Sequence, residues 1–174
     1  MTEKIKDAVY YFKEGLRHNI LNYSKAEEDY SKALELNPSY LDAYLRRGTL
    51  RYKVIKNLKE AEADFDKAVE LAPECAEAYL HRGIVKCHLL KFDRALPDFN
   101  KSVELNPYDE RALYNRGKNK FMLKYDEKEV REDLEKAVHL GSVEAADMIK
   151  LFYESEQNSV RKAIEEGIEK VRKQ

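Results

Sequence analysis

A phrase repeated at a fixed period constrains this chain more than any other feature. Residues 41–73 read LDAYLRRGTLRYKVIKNLKEAEADFDKAVELAP and residues 76–107 read AEAYLHRGIVKCHLLKFDRALPDFNKSVELNP. A further copy, from Glu110, reads ERALYNRGKNKFMLKYDEKEVREDLEKAVHLGS, and a worn first copy runs from Ala8 to Pro38, so that the three quoted are the second, third and fourth in chain order. Pro38, Pro73 and Pro107 mark the period, 35 and then 34 residues apart. A period in the mid-thirties marks a stacked array, in which each unit is too small to bury its apolar face alone.

Each copy divides into two stretches of helical periodicity. In the second copy Tyr44, Leu45, Gly48 and Tyr52 recur at short helical spacings, and Ala61, Phe65, Ala68 and Leu71 repeat the pattern. A polar turn near Lys56 and Asn57 joins the two predicted helices. The pairs Asn37–Pro38 and Asn106–Pro107 close the second helix of their copies, because a residue before proline is driven out of the α region. Glu74 and Asp109 fall where the next helices begin, a place that favours negative charge.

Gly15, Gly48, Gly83 and Gly117 lie mid-helix, where glycine costs about 1 kcal/mol relative to alanine. The same cost at equivalent places predicts the close approach of a neighbouring helix. Ala26, Ala61 and Ala95 are expected opposite, with Tyr30, Phe65, Phe99 and Leu134 supplying bulk beside them. Helices of about a dozen residues are marginal alone in water, so stability must come from the stack.

Aromatic-x-x-x-Gly, then Ala-x-x-x-aromatic-x-x-Ala, then Pro, resembles the tetratricopeptide repeat. The third copy matches best through Tyr79, Gly83, Ala95, Phe99 and Pro107, with Ser102 where a small Ala is usual. The resemblance spans about Ala8 to Ser142. It implies an all-α, right-handed superhelix, an α-solenoid of helix–turn–helix units forming a single domain over residues 1–174. Repeats are expected at about 8–40, 41–75, 76–109 and 110–142, with C-terminal helices and a cap over 143–174. The copies differ in their inner turns. From the glycine to the next small-residue position is 11 residues in the first copy (Gly15 to Ala26), 13 in the second (Gly48 to Ala61) and 13 in the fourth (Gly117 to Val130). In the fourth, Val130 and Leu134 replace the small and aromatic residues and Gly141–Ser142 replaces Asn-Pro, which predicts looser packing there.

Past the repeats, Val143, Ala146, Ile149 and Leu151–Tyr153 predict a further first-type helix. Ser155–Ser159 reads as a polar break, and Val160, Ile164, Ile168 and Val171 form one apolar stripe on a charged stretch. Such a helix is expected to cap the array; the alternative is a partner-binding or dimerising helix.

Charged residues make up 37% of the 174, against an average of about 25%, which suits solvated helices. Lys plus Arg is 32 and Asp plus Glu is 33, a balance that argues against nucleic acid and membrane surfaces as partners. No stretch has the apolar run of a signal peptide or a membrane span, and Cys75 and Cys87 form no redox motif, so a cytoplasmic location is expected. His81 and His88 lie seven apart beside Cys87, but no further ligand completes a metal set, so the histidines, with His18 and His139, are expected at the surface or in a groove. No phosphate loop or nucleotide fingerprint is present, and no catalytic residue, metal or cofactor is assigned.

Arg47 and Arg51, Arg82 and Lys86, and Arg116 and Lys120 sit four apart on successive first helices, while Asp29, Asp64, Asp98 and Asp133 recur on the second helices. Like charges so spaced repel, so an internal ladder of Arg–Asp contacts is favoured over a basic track for an acidic ligand.

The family resemblance implies that the first helices line a groove for a segment of a partner protein. The matching positions are Phe12, Leu16 and Asn19; Leu45, Thr49 and Tyr52; Leu80, Ile84 and His88; and Tyr114, Lys118 and Phe121. About half are expected to be ordinary core, because faces beside a groove also pack on neighbours. The carboxylate clamp of chaperone-tail adaptors is not reproduced. From the first copy its places hold Phe12, Leu16, Arg46, Glu77 and His81, and from the second Leu45, Thr49, His81, Arg111 and Asn115. The expected function is non-catalytic scaffolding of a peptide or helix from another protein. Self-association into a structural homo-oligomer and service as an accessory subunit regulating an enzyme are the alternatives.

Overall fold

The computed structural model describes residues 7–20, 22–152 and 154, which fall in two compact units, Met1–Pro107 and Tyr108–Gln174. The first unit holds α1 (Ala8–His18), α2 (Tyr23–Leu36), α3 (Leu41–Leu50) with a π-helical turn (Arg51–Ile55), α4 (Leu58–Leu71), α5 (Ala76–His88) and α6 (Phe92–Leu105). The second holds α7 (Glu110–Met122), α8 (Glu127–His139) and α9 (143–152). No strand occurs among the described residues. Helices pair in chain order as α1–α2, α3–α4, α5–α6 and α7–α8, and within the first unit α2 also packs on α3 and α4 on α5.

The helix ends follow from local chemistry. Asp7, Asn22, Asn57, Asp109 and Asp126 each accept a backbone N–H from the first turn of the helix they precede, satisfying a donor that has no partner within the helix. Helices α2 and α6 stop at Asn37 and Asn106, whose extended backbones lead into Pro38 and Pro107, and α4 stops at Ala72 before Pro73. Asp109 caps α7 as expected, whereas Glu74 lies one residue outside the Cys75 cap of α5, and Glu77 supplies the acid of that first turn.

The repeated glycines have the cause expected of them. A Cβ on Gly15 would lie 2.5 Å from the Tyr30 ring, on Gly48 2.9 Å from Phe65, and on Gly83 2.7 Å from Phe99. Those three rings are fully buried, as are Ala26, Ala61 and Ala95 beside them. At Gly117 the neighbour is Leu134, at 3.1 Å, so the fourth copy has the loosest contact of the series. Its Val130 and Leu134 are nevertheless buried. Ser102, where the pattern favours Ala, is buried because its hydroxyl donates to the Ala76 carbonyl at 3.0 Å.

The two 13-residue spacings are absorbed differently. In the second copy the extra residue stays helical, widening Arg51–Ile55 into a π turn that ends on Lys56 at φ 64°. In the fourth copy α7 ends at Met122, and the surplus goes into the connection around Lys124, at φ 60°. The fourth copy closes on Gly141 at φ 100°, after which Ser142 accepts the Ala145 N–H through its hydroxyl and starts α9. In α9 the buried residue is Ala145, with Met148, Ile149 and Phe152 half-buried, while Val143 and Ala146 face solvent; the expected helix is present with a shifted inner face. The polar break and apolar stripe expected beyond residue 154 lie outside the described residues.

Candidate functional site

Asp64, Asp98 and Asp133, buried on their second helices, are each met by cations from their own hairpin. Asp64 receives Nε and Nη2 of Arg47 at 3.1 and 2.6 Å and Nη1 of Arg51 at 2.9 Å. Asp98 receives Arg82 at 3.1 and 2.6 Å and Lys86 at 2.7 Å. In the second unit Asp133 receives Arg116 at 2.9 and 2.5 Å and Lys120 at 2.9 Å. The arginines also reach back one hairpin, Arg47 to Ser31 and Arg82 to Asp66. Burial pushes the Asp64 carboxyl up while the Arg47 and Arg51 guanidiniums pull against it. The basic stripe is therefore a structural ladder: its cations are largely covered and committed to buried carboxylates.

Burial divides the expected groove positions. Leu45, Tyr52 and Leu80 are core, contrary to their assignment as lining: Leu45 and Tyr52 pack with Phe65, Ala68, Ala78 and Val85, and Leu80 has no exposed surface. For Leu45 and Tyr52 the reason is that the next hairpin brings Ala78 and Val85 of α5 over them. Phe12, Thr49, Ile84 and Tyr114 are half-buried, while Leu16, Asn19, His88, Lys118 and Phe121 are exposed.

His81 also departs from expectation. It lies in the core at 5% exposure, its ring stacked on Phe65 at 5.4 Å and its Nδ1 3.3 Å from the Tyr52 hydroxyl. A helical pattern does not distinguish a covered imidazole from a wet one, and Tyr52 and Phe65 do the covering. His18 lies 2.7 Å from Asp29, and His88 and His139 are exposed.

What remains open to a partner in the first unit centres on α1. That helix buries Ala8 and Gly15, yet Val9, Tyr10 and Leu16 stay exposed, as does Ile20 just beyond it. Phe12 lies beside them, its ring 4.8 Å from Tyr40 and 5.9 Å from Tyr30. Leu16, Thr49 and Ile84 each follow a repeat glycine, so they hold one register on α1, α3 and α5. In the second unit Phe121, Met122, Tyr125, Val130 and Phe152, with Lys124 and Glu127, line a pocket of about 470 Å³. Phe121 was legible as a first-helix lining position and Phe152 as part of a further helix; Met122 and Tyr125 carry no repeat signal and emerge only from the fold.

Comparison with known proteins agrees with this architecture. The family model described as tetratricopeptide repeat matches residues 19–40 and 41–75. An uncharacterized protein of Methanocaldococcus jannaschii is 46% identical over 48 residues, which are 27% of this chain and 56% of that protein, so the chain spans little more than half of the curated relative it matches. A solved MamA protein superposes with a TM-score of 0.76 at 22% identity, over 87% of this chain and 84% of that one. MamA from Desulfovibrio magneticus RS-1 gives 0.71 at 25% identity over 79% and 77%. The first tetratricopeptide domain of Spaghetti, solved with an HSP90 peptide, gives 0.65 at 24% identity over 69% and 95%, a likeness of fold. The chain thus matches the tetratricopeptide-repeat model over residues 19–75 and shares its all-α fold with the solved MamA protein over most of its length.

Proposed function

We propose that the chain is a non-catalytic protein-binding scaffold whose first helices take up an extended or helical segment of another protein. The observation that carries this reading is the apolar surface of α1, where Val9 at 46%, Leu16 at 39% and Ile20 at 77% exposure stand in water on a chain otherwise rich in charge. Apolar side chains grouped this way mark a surface that another molecule covers. Phe12, Thr49 and Ile84 are the half-buried first-helix positions of the first unit, and Asn19 and His88 its exposed polar ones. In the second unit Tyr114, Lys118 and Phe121 are the corresponding positions. Leu45, Tyr52 and Leu80 are buried and contribute to the core rather than to this surface. The ladder leaves the basic stripe little charge to offer, so shape and apolar contact supply affinity and rim charges set orientation.

Cys75 and Cys87 form no disulfide, which suits a reducing, cytoplasmic setting, and no helix among the described residues is long and apolar enough to cross a membrane. The test is a pull-down with the Leu16→Glu/Ile20→Glu double variant, whose side chains are exposed and whose folding is checked by circular dichroism. Loss of the captured proteins is expected. Capture of an identical set by the folded variant would sink the reading, and concentration-dependent light scattering of the wild type abolished by the same change would assign the surface to self-association.

A further inference from the structure

The near-zero net charge of the chain hides a separation of charge across the first unit. Its consecutive helices are joined by connections of two to four residues and pack in chain order, so neighbours run antiparallel. The connections within hairpins therefore share one edge of the unit, and those between hairpins share the opposite edge with Asn106–Pro107. With the helical turns beside it, the inner-turn edge (15–26, 52–61 and 85–95) holds eight Lys or Arg against Glu60 and Asp93. The opposite edge (33–44, 68–79 and 102–107) holds six Asp or Glu and no Lys or Arg. Lys53, Lys56 and Lys59 on the first edge, and Glu35, Asp42 and Glu74 on the second, are exposed and form no ion pair among the described residues. Apolar tips stand on both edges. On the basic one Ile20 and Leu90 are each 77% exposed, and Val54 and Ile55 are exposed too. Leu90 holds φ 58°, a left-handed conformation natural to Gly or Asn that a leucine adopts at a cost. On the acidic edge Leu36 and Leu71 are exposed.

We propose that these two edges are the complementary halves of one contact between copies of this chain, the basic edge of one copy seated on the acidic edge of the next. Charge selects this pairing. Basic on basic or acidic on acidic sets like charges together, whereas basic on acidic opposes them. Both rows repeat once per hairpin, so tips and charges on one edge fall in step with those on the other. An anionic lipid surface would use the basic edge alone and leave Glu35, Asp42, Glu74 and Leu36 without a role. Each added copy leaves one edge of each kind open, so the contact is heterologous and growth continues unless a ring closes. The contact goes beyond the scaffold reading and does not rest on it. Its test leaves Leu16 and Ile20 unaltered, so the failure of one reading is distinguishable from that of the other.

Sedimentation velocity of the full chain is expected to show a mass that rises with protein concentration. Raising salt from about 0.02 to about 0.5 M returns it to monomer, because exposed charges are then screened. Lys53→Glu/Lys56→Glu/Lys59→Glu reverses the free charges of the basic edge, and Glu35→Lys/Asp42→Lys/Glu74→Lys those of the acidic edge. Each variant alone is expected to associate at least about tenfold more weakly than the wild type. Mixing the two restores association, an outcome that a loss of folding cannot produce. Leu90→Gly relieves the turn and removes an apolar tip, so it weakens association without lowering the thermal melt. A wild type that stays monomeric at low salt, charge-reversed variants that associate like the wild type, or no recovery on mixing each overturns the proposal. So does a monomeric wild type that binds phosphatidylserine vesicles until the lysines are reversed, which would assign the basic edge to a lipid surface.

Discussion

The imidazole Nδ1 of His18 lies 2.7 Å from the buried carboxylate of Asp29, where the other hairpins place permanent cations. His18 holds the register of Arg51, Lys86 and Lys120, and Glu14 that of Arg47, Arg82 and Arg116. The first hairpin therefore lacks the guanidinium fork that grips Asp64, Asp98 and Asp133. Glu14 instead bonds Arg17 at the surface. Glu14→Arg is expected to stabilise the chain by about 1–2 kcal/mol, a charge-assisted bond to a buried acid. Chemical denaturation reads the change, and an unaltered midpoint would show that Asp29 gains nothing from a fork.

Tyr30 stands where Phe65 and Phe99 stand in the next two copies, but its buried hydroxyl has no hydrogen-bond partner among the described residues. Tyr30→Phe removes an unsatisfied polar group and is expected to stabilise by about 1 kcal/mol. Burial also raises the Tyr30 phenol above its ordinary 10.0. The folded state thus holds a proton that the unfolded chain releases from about pH 10 upward, so this stability is complete below that pH and is lost as pH rises. The Phe variant should lose less stability on going from pH 9 to pH 11. Some loss remains, since burial raises Tyr40 too. Identical alkaline profiles for wild type and variant would refute the assignment.

The glycine contacts predict opposite outcomes for one substitution. Gly83→Ala sets a methyl 2.7 Å from the buried Phe99 ring and should destabilise by about 1–3 kcal/mol despite better helix propensity. Gly117→Ala meets Leu134 at 3.1 Å, where a branched aliphatic can give way, and is expected to be neutral or to gain up to about 1 kcal/mol. Thermal melts of the two variants side by side decide it. Equal losses would mean that Leu134 cannot move.

The ladder separates buried from exposed pairs. Asp98→Ala strands Arg82 and Lys86 in a largely covered setting and is expected to cost about 3 kcal/mol. Glu104→Ala breaks the exposed Lys101–Glu104 pair and should stay within about 0.5 kcal/mol. Urea unfolding of both variants tests the contrast; a small loss at Asp98 would remove the ladder from the account of stability.

Much of this was legible in the chain itself because the repeat is local. Gly48 meets Phe65 and Arg47 meets Asp64 within one hairpin, so the period that reveals the copies also reveals which residues face each other. Helix ends were equally readable, since Asp109 and the Asn-Pro pairs act through backbone chemistry next to them in sequence. Which first-helix residues stay open could not be read in the same way. Leu16 and Leu80 are both apolar and both in helical register, but one is 39% exposed and the other fully buried. Helical periodicity specifies a face; whether it meets water depends on what packs over it. The equal inner spacings of the second and fourth copies likewise resolve differently. The sequence by itself determined the helix pairs, their caps and the glycine–ring contacts, because these arise between neighbours along the chain. Only the tertiary structure decided that Tyr52 is carried on a π turn into a core of Phe65 and His81 while Phe121 borders an open pocket, because that depends on the side chains brought in by the following helices.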